Sequence, residues 1–499
     1  MKIAIVNSAF ENLGIEYISS VLKQNHETYL LFDPLLFNDS YIQIKSLAKM
    51  FDYTNILIKK VSSNIPDLIA FSVSSDTYKW ACQLANEIKN HFCNIPIVFG
   101  GVHVTAVPLE VLRQPFVDYV IIGEGEYPML DLANALERGN TCYDIMNVGY
   151  KKNQELFLNP PRDLIQDLDK LPFPDKDLYL SCHPCKLYDY GIITSRGCYY
   201  ACTYCHNSAD RKMAWSGKGK YFRQRSVSNV IEELENAYKK YNFKQVSIWD
   251  ECFTFNIDWL KNFCAEYKKR IGLPFWANVH PDHVNEEIIR LLQDAGCTRV
   301  EMGIQILNSH IKKEILHRKE SINTIRSVIK LFRASKIRIE VDVILGIPFA
   351  EEYDYKEMVL FFNEVRPNSI HTFWLRYYPS TEIVDIAYKN NILTHNELNM
   401  INQGEYNVSS ILGGNTKNSR LEKYQTLLTF LPFISNKIIQ TIVKRNWIKY
   451  IPKTTSVNRI LLYLLDLRYH DEIVGRRFIK KTLYFMLYKI KNGKKNIIN

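Results

Sequence analysis

At 499 residues the chain is long enough for two or three domains, each with its own core. Hydrophobic residues make up 46% and charged residues 23%, the balance of a globular protein, and no run of about 18 apolar residues suggests a membrane-spanning helix. The formal charge of +10 belongs to the tail alone: residues 437–499 hold 15 Lys/Arg against 3 Asp/Glu, leaving 48 against 50 elsewhere.

The first apolar run, 3–6, is too short for a signal peptide. Eleven irregularly spaced cysteines then point to reduced thiols in the cytoplasm. Cys82, Cys93, Cys264 and Cys297 stand in helix-patterned stretches and are expected to fill cores.

Residues 1–150 alternate strand-like runs (3–6, 29–32, 68–72, 95–101, 119–123) with helix-period stretches such as 79–91. That alternation predicts an α/β fold, a doubly wound parallel sheet of the flavodoxin type. Ligands of such sheets lie beyond the carboxyl ends of the strands. Those ends carry Asn12-Leu13-Gly14-Ile15, Ser72-Val73-Ser74-Ser75, Gly100-Gly101-Val102-His103 and Gly123-Glu124-Gly125-Glu126. Glycine there lets the backbone approach a large ligand closely. The fold alone does not name the ligand.

Residues 151–190 read as a linker, dense in proline at Pro160-Pro161 and Leu171-Pro172-Phe173-Pro174-Asp175. Cys182-His183-Pro184-Cys185 follows, a redox or metal pair or a plain loop. After the apolar run 191–194 comes Cys198-x3-Cys202-x2-Cys205, with Tyr204 before the last cysteine. Three thiolates on so short a loop can converge on one soft metal centre. One reading is a four-iron cluster with an iron left open. The other is zinc, with His206 or the Cys182/Cys185 pair completing the ligand set.

This triplet resembles that of the radical SAM (S-adenosylmethionine) enzymes, in which the open iron is chelated by SAM. The strand ends of residues 1–150 resemble the cobalamin-binding domain that precedes the barrel in one large class of them. The resemblance implies that Leu13, Gly14, Ser72, Ser74, Gly100, Gly101, His103, Gly123, Glu124, Gly125 and Glu126 surround cobalamin. The Asp-x-His-x-x-Gly motif that supplies a cobalt ligand in other cobalamin proteins is absent after the first strand, as is usual in this class.

Residues 191–390 repeat strand and helix six times, predicting a partial (βα)6 TIM barrel with its chemistry at the C-terminal strand ends. The resemblance implies SAM contacts at Tyr204, at Asp250 and Glu251 ending the second strand, at Gln305 ending the fourth, and at Gly346 and Pro348 ending the fifth. Asn278 and His280 are further polar candidates. Two departures from the family pattern stand out: Ile306 in place of serine, and Phe349 in place of glycine. Tyr377-Tyr378-Pro379-Ser380-Thr381-Glu382 resembles the family's closing loop, although Phe373, Trp374 and Tyr377 are equally suited to a barrel core.

Residues 391–499 form a basic, mainly α-helical region with no recognisable chemistry. It is expected to cap the barrel mouth or to lie on an anionic membrane. The resemblance implies a cobalamin-dependent radical SAM enzyme that uses a 4Fe-4S cluster, SAM and cobalamin to methylate an unactivated carbon of a small or lipid-like molecule. A flavodoxin or ferredoxin would supply electrons. Its rivals are a cobalamin-dependent cyclase or oxidase, a tRNA methylthiotransferase (which would need a second cysteine triplet), and a zinc-stabilised nucleic-acid-binding protein.

Overall fold

A computed structural model describes residues 1–38, 44–182, 187–215, 217–406, 418, 420–453 and 472–493. Cys185 and the apolar run 460–465 lie outside the described residues.

The N-terminal sheet contains β1 (Lys2–Ser8), β2 (Glu27–Asp33), β3 (Leu68–Ser72), β4 (Ile97–Gly100) and β5 (Tyr119–Ile121), all parallel in the order 2-1-3-4-5. Crossover helices cover both faces, so the strands bury apolar residues on each side and read as continuous hydrophobic runs. The order reverses beside β1, and the strand ends there open a crevice. An antiparallel hairpin, β6 (Val148–Lys152) and β7 (Glu155–Leu158), extends the sheet beyond β5 into the stretch expected to be a linker.

The second sheet has six parallel strands in chain order: Asp189–Ile192, Gln245–Ile248, Phe275–Val279, Cys297–Gln305, Arg338–Leu345 and Ser369–Trp374. Its helices begin and end as the sequence suggests. Ser226 caps Val227–Tyr241 by accepting from the Asn229 N–H, and Gly296 ends Glu286–Ala295 in the left-handed region. Residues facing the helices, such as Val300, Met302, Val341 and Val343, form the main core.

The C-terminal region divides. Glu422–Phe430 packs on the edge strand Ser369–Trp374, where Trp374 Nε1 donates to Gln425 Oε1 at 3.1 Å. It therefore covers the side of the open barrel as well as lengthening its core. The last helix, Glu472–Gly493, instead returns to the N-terminal domain. Cys264 and Cys297 are buried as expected, but Cys93, just beyond the helix Tyr78–His91, is exposed.

Candidate functional site

The cysteine loop leaves the first barrel strand through a turn that needs glycine. Gly197 has φ +79°, and a Cβ there would sit 2.4 Å from the Tyr221 carbonyl oxygen. The loop is tied down along its length. Thr203 Oγ1 donates to Ile315 O at 2.6 Å, Ile383 N to Thr203 O at 3.0 Å, and Ser208 Oγ to Cys202 O at 2.8 Å. Arg211 holds the Cys198 carbonyl.

Cys202 is buried, and Cys198 and Cys205 are half-buried. Burial pushes the Cys198 thiol up to about 12 and raises Cys202 as well, so a cation is needed to hold them as thiolates. His206, the other candidate for a fourth zinc ligand, lies in hydrogen-bond contact with the Cys205 thiol. Cys182 cannot complete a zinc set here, since it packs into the N-terminal core against Leu30. The donor set fits a cluster with an open iron.

Asp250 and Glu251 follow the second barrel strand, Gln245–Ile248, rather than ending it, and they differ in role. Asp250 is 1% exposed, and its carboxylate accepts from Thr194 N at 2.6 Å, Thr194 Oγ1 at 2.5 Å and Ser195 Oγ at 2.6 Å. Its carboxylate fixes the run into the cysteine loop, so of the two acidic residues Glu251 is the one left open to the cleft. Glu251 is exposed and faces the cleft. The neighbouring Trp249 fills the space above Gly191, where a Cβ would lie 2.7 Å from the indole.

Tyr204 is turned inward, its hydroxyl accepting from Arg318 Nη1 at 3.2 Å. Arg318, 6% exposed, also donates from Nη2 to Gly303 O at 2.7 Å, pairs with Glu320 at 2.7 Å, and lies 3.3 Å from His280 Nε2. It thus joins the cysteine loop to the third and fourth strand ends. Burial and the Arg318 charge push His280 down to about 3, so its ring stays neutral. His280 Nδ1 lies 3.0 Å from the Tyr200 hydroxyl. Arg318 was missed from the sequence, where its only signal is one charge in His317-Arg318-Lys319-Glu320.

Gln305 takes φ +67° at an irregularity in the pairing with the fifth strand, which curls its side chain back over Gly303. Gly346 has φ +76°. Phe349, which replaces the family's glycine, has φ +65° and is 50% exposed. The position thus retains the left-handed backbone that glycine favours, at some strain for a bulky residue.

Between the sheets lies a cavity of about 430 Å³. One wall is Gly14, Ser72, Ser74, Gly100, Gly101 and the run 123–126. The other is Ser195, Arg196, Gly197, His206, Asn207 and Glu251. The cavity runs down into an apolar slot of Ile5, Ile18, Ala70, Val98, Ile121 and Met129, between the sheet and its helices. An adjoining chamber of about 490 Å³, lined by Asn7, Phe10, Glu11 and Leu13 among others, shares Asn12, Gly14, Ser72, Ser74 and Trp249 with it. Gly101 has φ +104°, and a Cβ would strike the Val73 backbone at 2.7 Å. A low glycine floor beside an apolar slot fits a flat macrocycle with a nucleotide tail.

Of the residues expected at this ligand, His103 lies outside the cavity lining, while Glu124 and Glu126 line it but are engaged by arginines. His103 is 1% exposed, stacked on Tyr78 with ring centres 4.2 Å apart and with Nδ1 2.9 Å from Ser75 Oγ. Glu124 pairs with Arg196 at 3.1 Å and Arg223 at 2.8 Å, and Glu126 with Arg196 at 2.5 Å. These carboxylates clamp the N-terminal sheet to the arginine two residues before Cys198.

A family model described as the B12 binding domain matches residues 3–133, and one described as the radical SAM superfamily matches 192–362. An uncharacterized methyltransferase of Pyrococcus horikoshii is 26% identical over 78% of this chain and 81% of its own length. An anaerobic magnesium-protoporphyrin IX monomethyl ester cyclase of Synechocystis is 25% identical over 56% of this chain, which spans only 56% of the cyclase. Among solved structures, the cobalamin-dependent SAM radical enzyme OxsB, with aqua-cobalamin and SAM bound, aligns with a TM-score of 0.66 at 16% identity, over 100% of this chain and 81% of its own.

Proposed function

The chain is a radical SAM enzyme with a B12-binding domain, and from that premise we propose that it transfers a methyl group to an unactivated carbon of a small molecule. When bound, the 4Fe-4S cluster would supply the electron that cleaves one SAM for hydrogen removal, and cobalamin would supply the methyl group, itself restored from a second SAM that leaves as S-adenosylhomocysteine.

The protein's part is placement and exclusion of water. In this reading Cys198, Cys202 and Cys205 hold the cluster, and Glu251 faces the SAM amine. Arg318 sets Tyr204 and the Gly303 carbonyl against the cysteine loop. Gln305, Gly346 and Pro348 border SAM, while the glycine-floored crevice receives cobalamin. We assign residues 1–150 to cobalamin, 151–190 to the connection, 191–390 to the barrel and 391–499 to the C-terminal region. A low-potential flavodoxin or ferredoxin would be the electron source, in the cytoplasm. Among the described residues no helix is long and apolar enough to cross a membrane.

One observation carries the proposal. The cysteine-loop residues Gly197, His206 and Asn207 and the sheet residues Gly14, Ser72, Gly100 and Gly123 line the same cavity. A methyl donor on the sheet would thus face a radical generated at the loop. The test is product analysis under anaerobic turnover. Methyl transfer yields S-adenosylhomocysteine together with 5′-deoxyadenosine, whereas a cyclase or oxidase yields 5′-deoxyadenosine without S-adenosylhomocysteine.

A further inference from the structure

The last helix has two apolar sides. One is docked: Phe485, 5% exposed, packs against Phe32 and Tyr53 with ring centres 5.8 Å and 6.2 Å away, and Tyr53 donates to its carbonyl. The opposite side consists of Lys480, Leu483, Tyr484, Leu487, Ile490 and Lys491, at the three- and four-residue steps of one helical face. Leu483 is 50% exposed, Leu487 65% and Ile490 46%.

A surface helix ordinarily turns its charges toward solvent. This one turns a Leu-Tyr-Leu-Ile stripe outward with a lysine at each end, and residues 480–493 contain no acidic side chain. The short helix Lys45–Met50 has the same character. It buries none of its residues, exposes Met50 by 60%, and adds Lys45 and Lys49. Phe51, at its end, shares a core with Phe485. Contiguous exposed apolar surface with a polar rim marks an interaction site.

We propose that this face is a membrane-contact surface whose partner is an anionic lipid bilayer. The leucines, the isoleucine and the tyrosine enter the boundary between headgroups and acyl chains. The lysines at both ends, on long apolar stems, reach the phosphates. Charge decides the choice of occupant: among the described residues the stripe is flanked by Lys480 and Lys491, with Lys45 and Lys49 on the short helix, and a basic rim of this kind suits a dense anionic plane.

The test sediments the full-length reconstituted chain with vesicles of phosphatidylcholine alone or mixed with phosphatidylglycerol. The expected result is pelleting with the anionic vesicles only, weakened by salt, and reduced about tenfold by Leu487→Glu. Cobalamin binding should be unchanged in that variant. If Leu487→Glu fails to fold, the double variant Lys480→Ser/Lys491→Ser should bind less and lose salt dependence. Absence of binding to anionic vesicles would overturn the proposal, as would binding indifferent to both variants. A wild-type dimer that Leu487→Glu makes monomeric would identify a second copy as the occupant. Failure of a hydrophilic maleimide to label Leu487→Cys would show that the chain's own residues cover the face.

Discussion

At the scale of single residues, the adjacent carboxylates Asp250 and Glu251 do different work. Asp250→Asn places an amide against donors that need an acceptor, and should cost about 1–3 kcal/mol of stability in urea unfolding. Glu251→Gln should leave stability unchanged and weaken SAM binding about tenfold, as measured by equilibrium dialysis on reconstituted protein. The two lie on the loop after the strand, where no period says which one turns inward. His103 gives a pH prediction. Burial pushes it down to about 4 in the folded chain, against about 6.5 in the unfolded one. The unfolded chain binds the extra proton between those values, so stability falls as pH drops through that window, by roughly 2 kcal/mol at pH 5. His103→Gln should flatten the decline of the unfolding midpoint between pH 7 and pH 5. The cysteine triplet was legible because its ligands are local. Arg318 was not, because it lies 114 residues from the Tyr204 it holds.

At the scale of elements, the turn before the cysteines is the most constrained. Gly197→Ala adds a Cβ at 2.4 Å from a backbone oxygen at positive φ, where the neighbour cannot yield as a flexible side chain would. Iron content after reconstitution should fall while the far-ultraviolet circular dichroism of the folded chain persists; full iron loading would contradict this reading of the turn. All eleven strands expected from alternation are present, five around the crevice and six in the barrel, because buried parallel strands write themselves as apolar runs. The β6–β7 hairpin was hidden. Its turn residues Asn153 and Gln154 have φ +49° and +69°, a conformation usually announced by Asn-Gly. Glutamine in the second place, and the prolines that follow, made the segment look like a connection.

At the scale of the molecule, charged side chains join the two sheets. Besides Arg196 with Glu124 and Glu126, Arg376 pairs with Asp76, while Lys176 ties the connecting segment to the first domain through Glu11 at 2.6 Å and Glu16 at 2.9 Å. Removing one partner strands the other in a buried setting. Arg196→Ala should therefore destabilise the chain by about 3 kcal/mol in urea unfolding and weaken cobalamin binding. The return of the last helix to the first domain is a long-range contact that no local period encodes. The basic, helical character of the tail was legible, but the resting place of its last helix was not. On the reading proposed above, three cysteines hold a cluster whose free iron meets SAM beside the crevice that receives cobalamin. Electron paramagnetic resonance of the reduced, reconstituted chain tests it most directly. The account predicts a 4Fe-4S signal that shifts when SAM is added and disappears in Cys202→Ser. A spectrum indifferent to SAM, or stoichiometric zinc in place of iron, would contradict it.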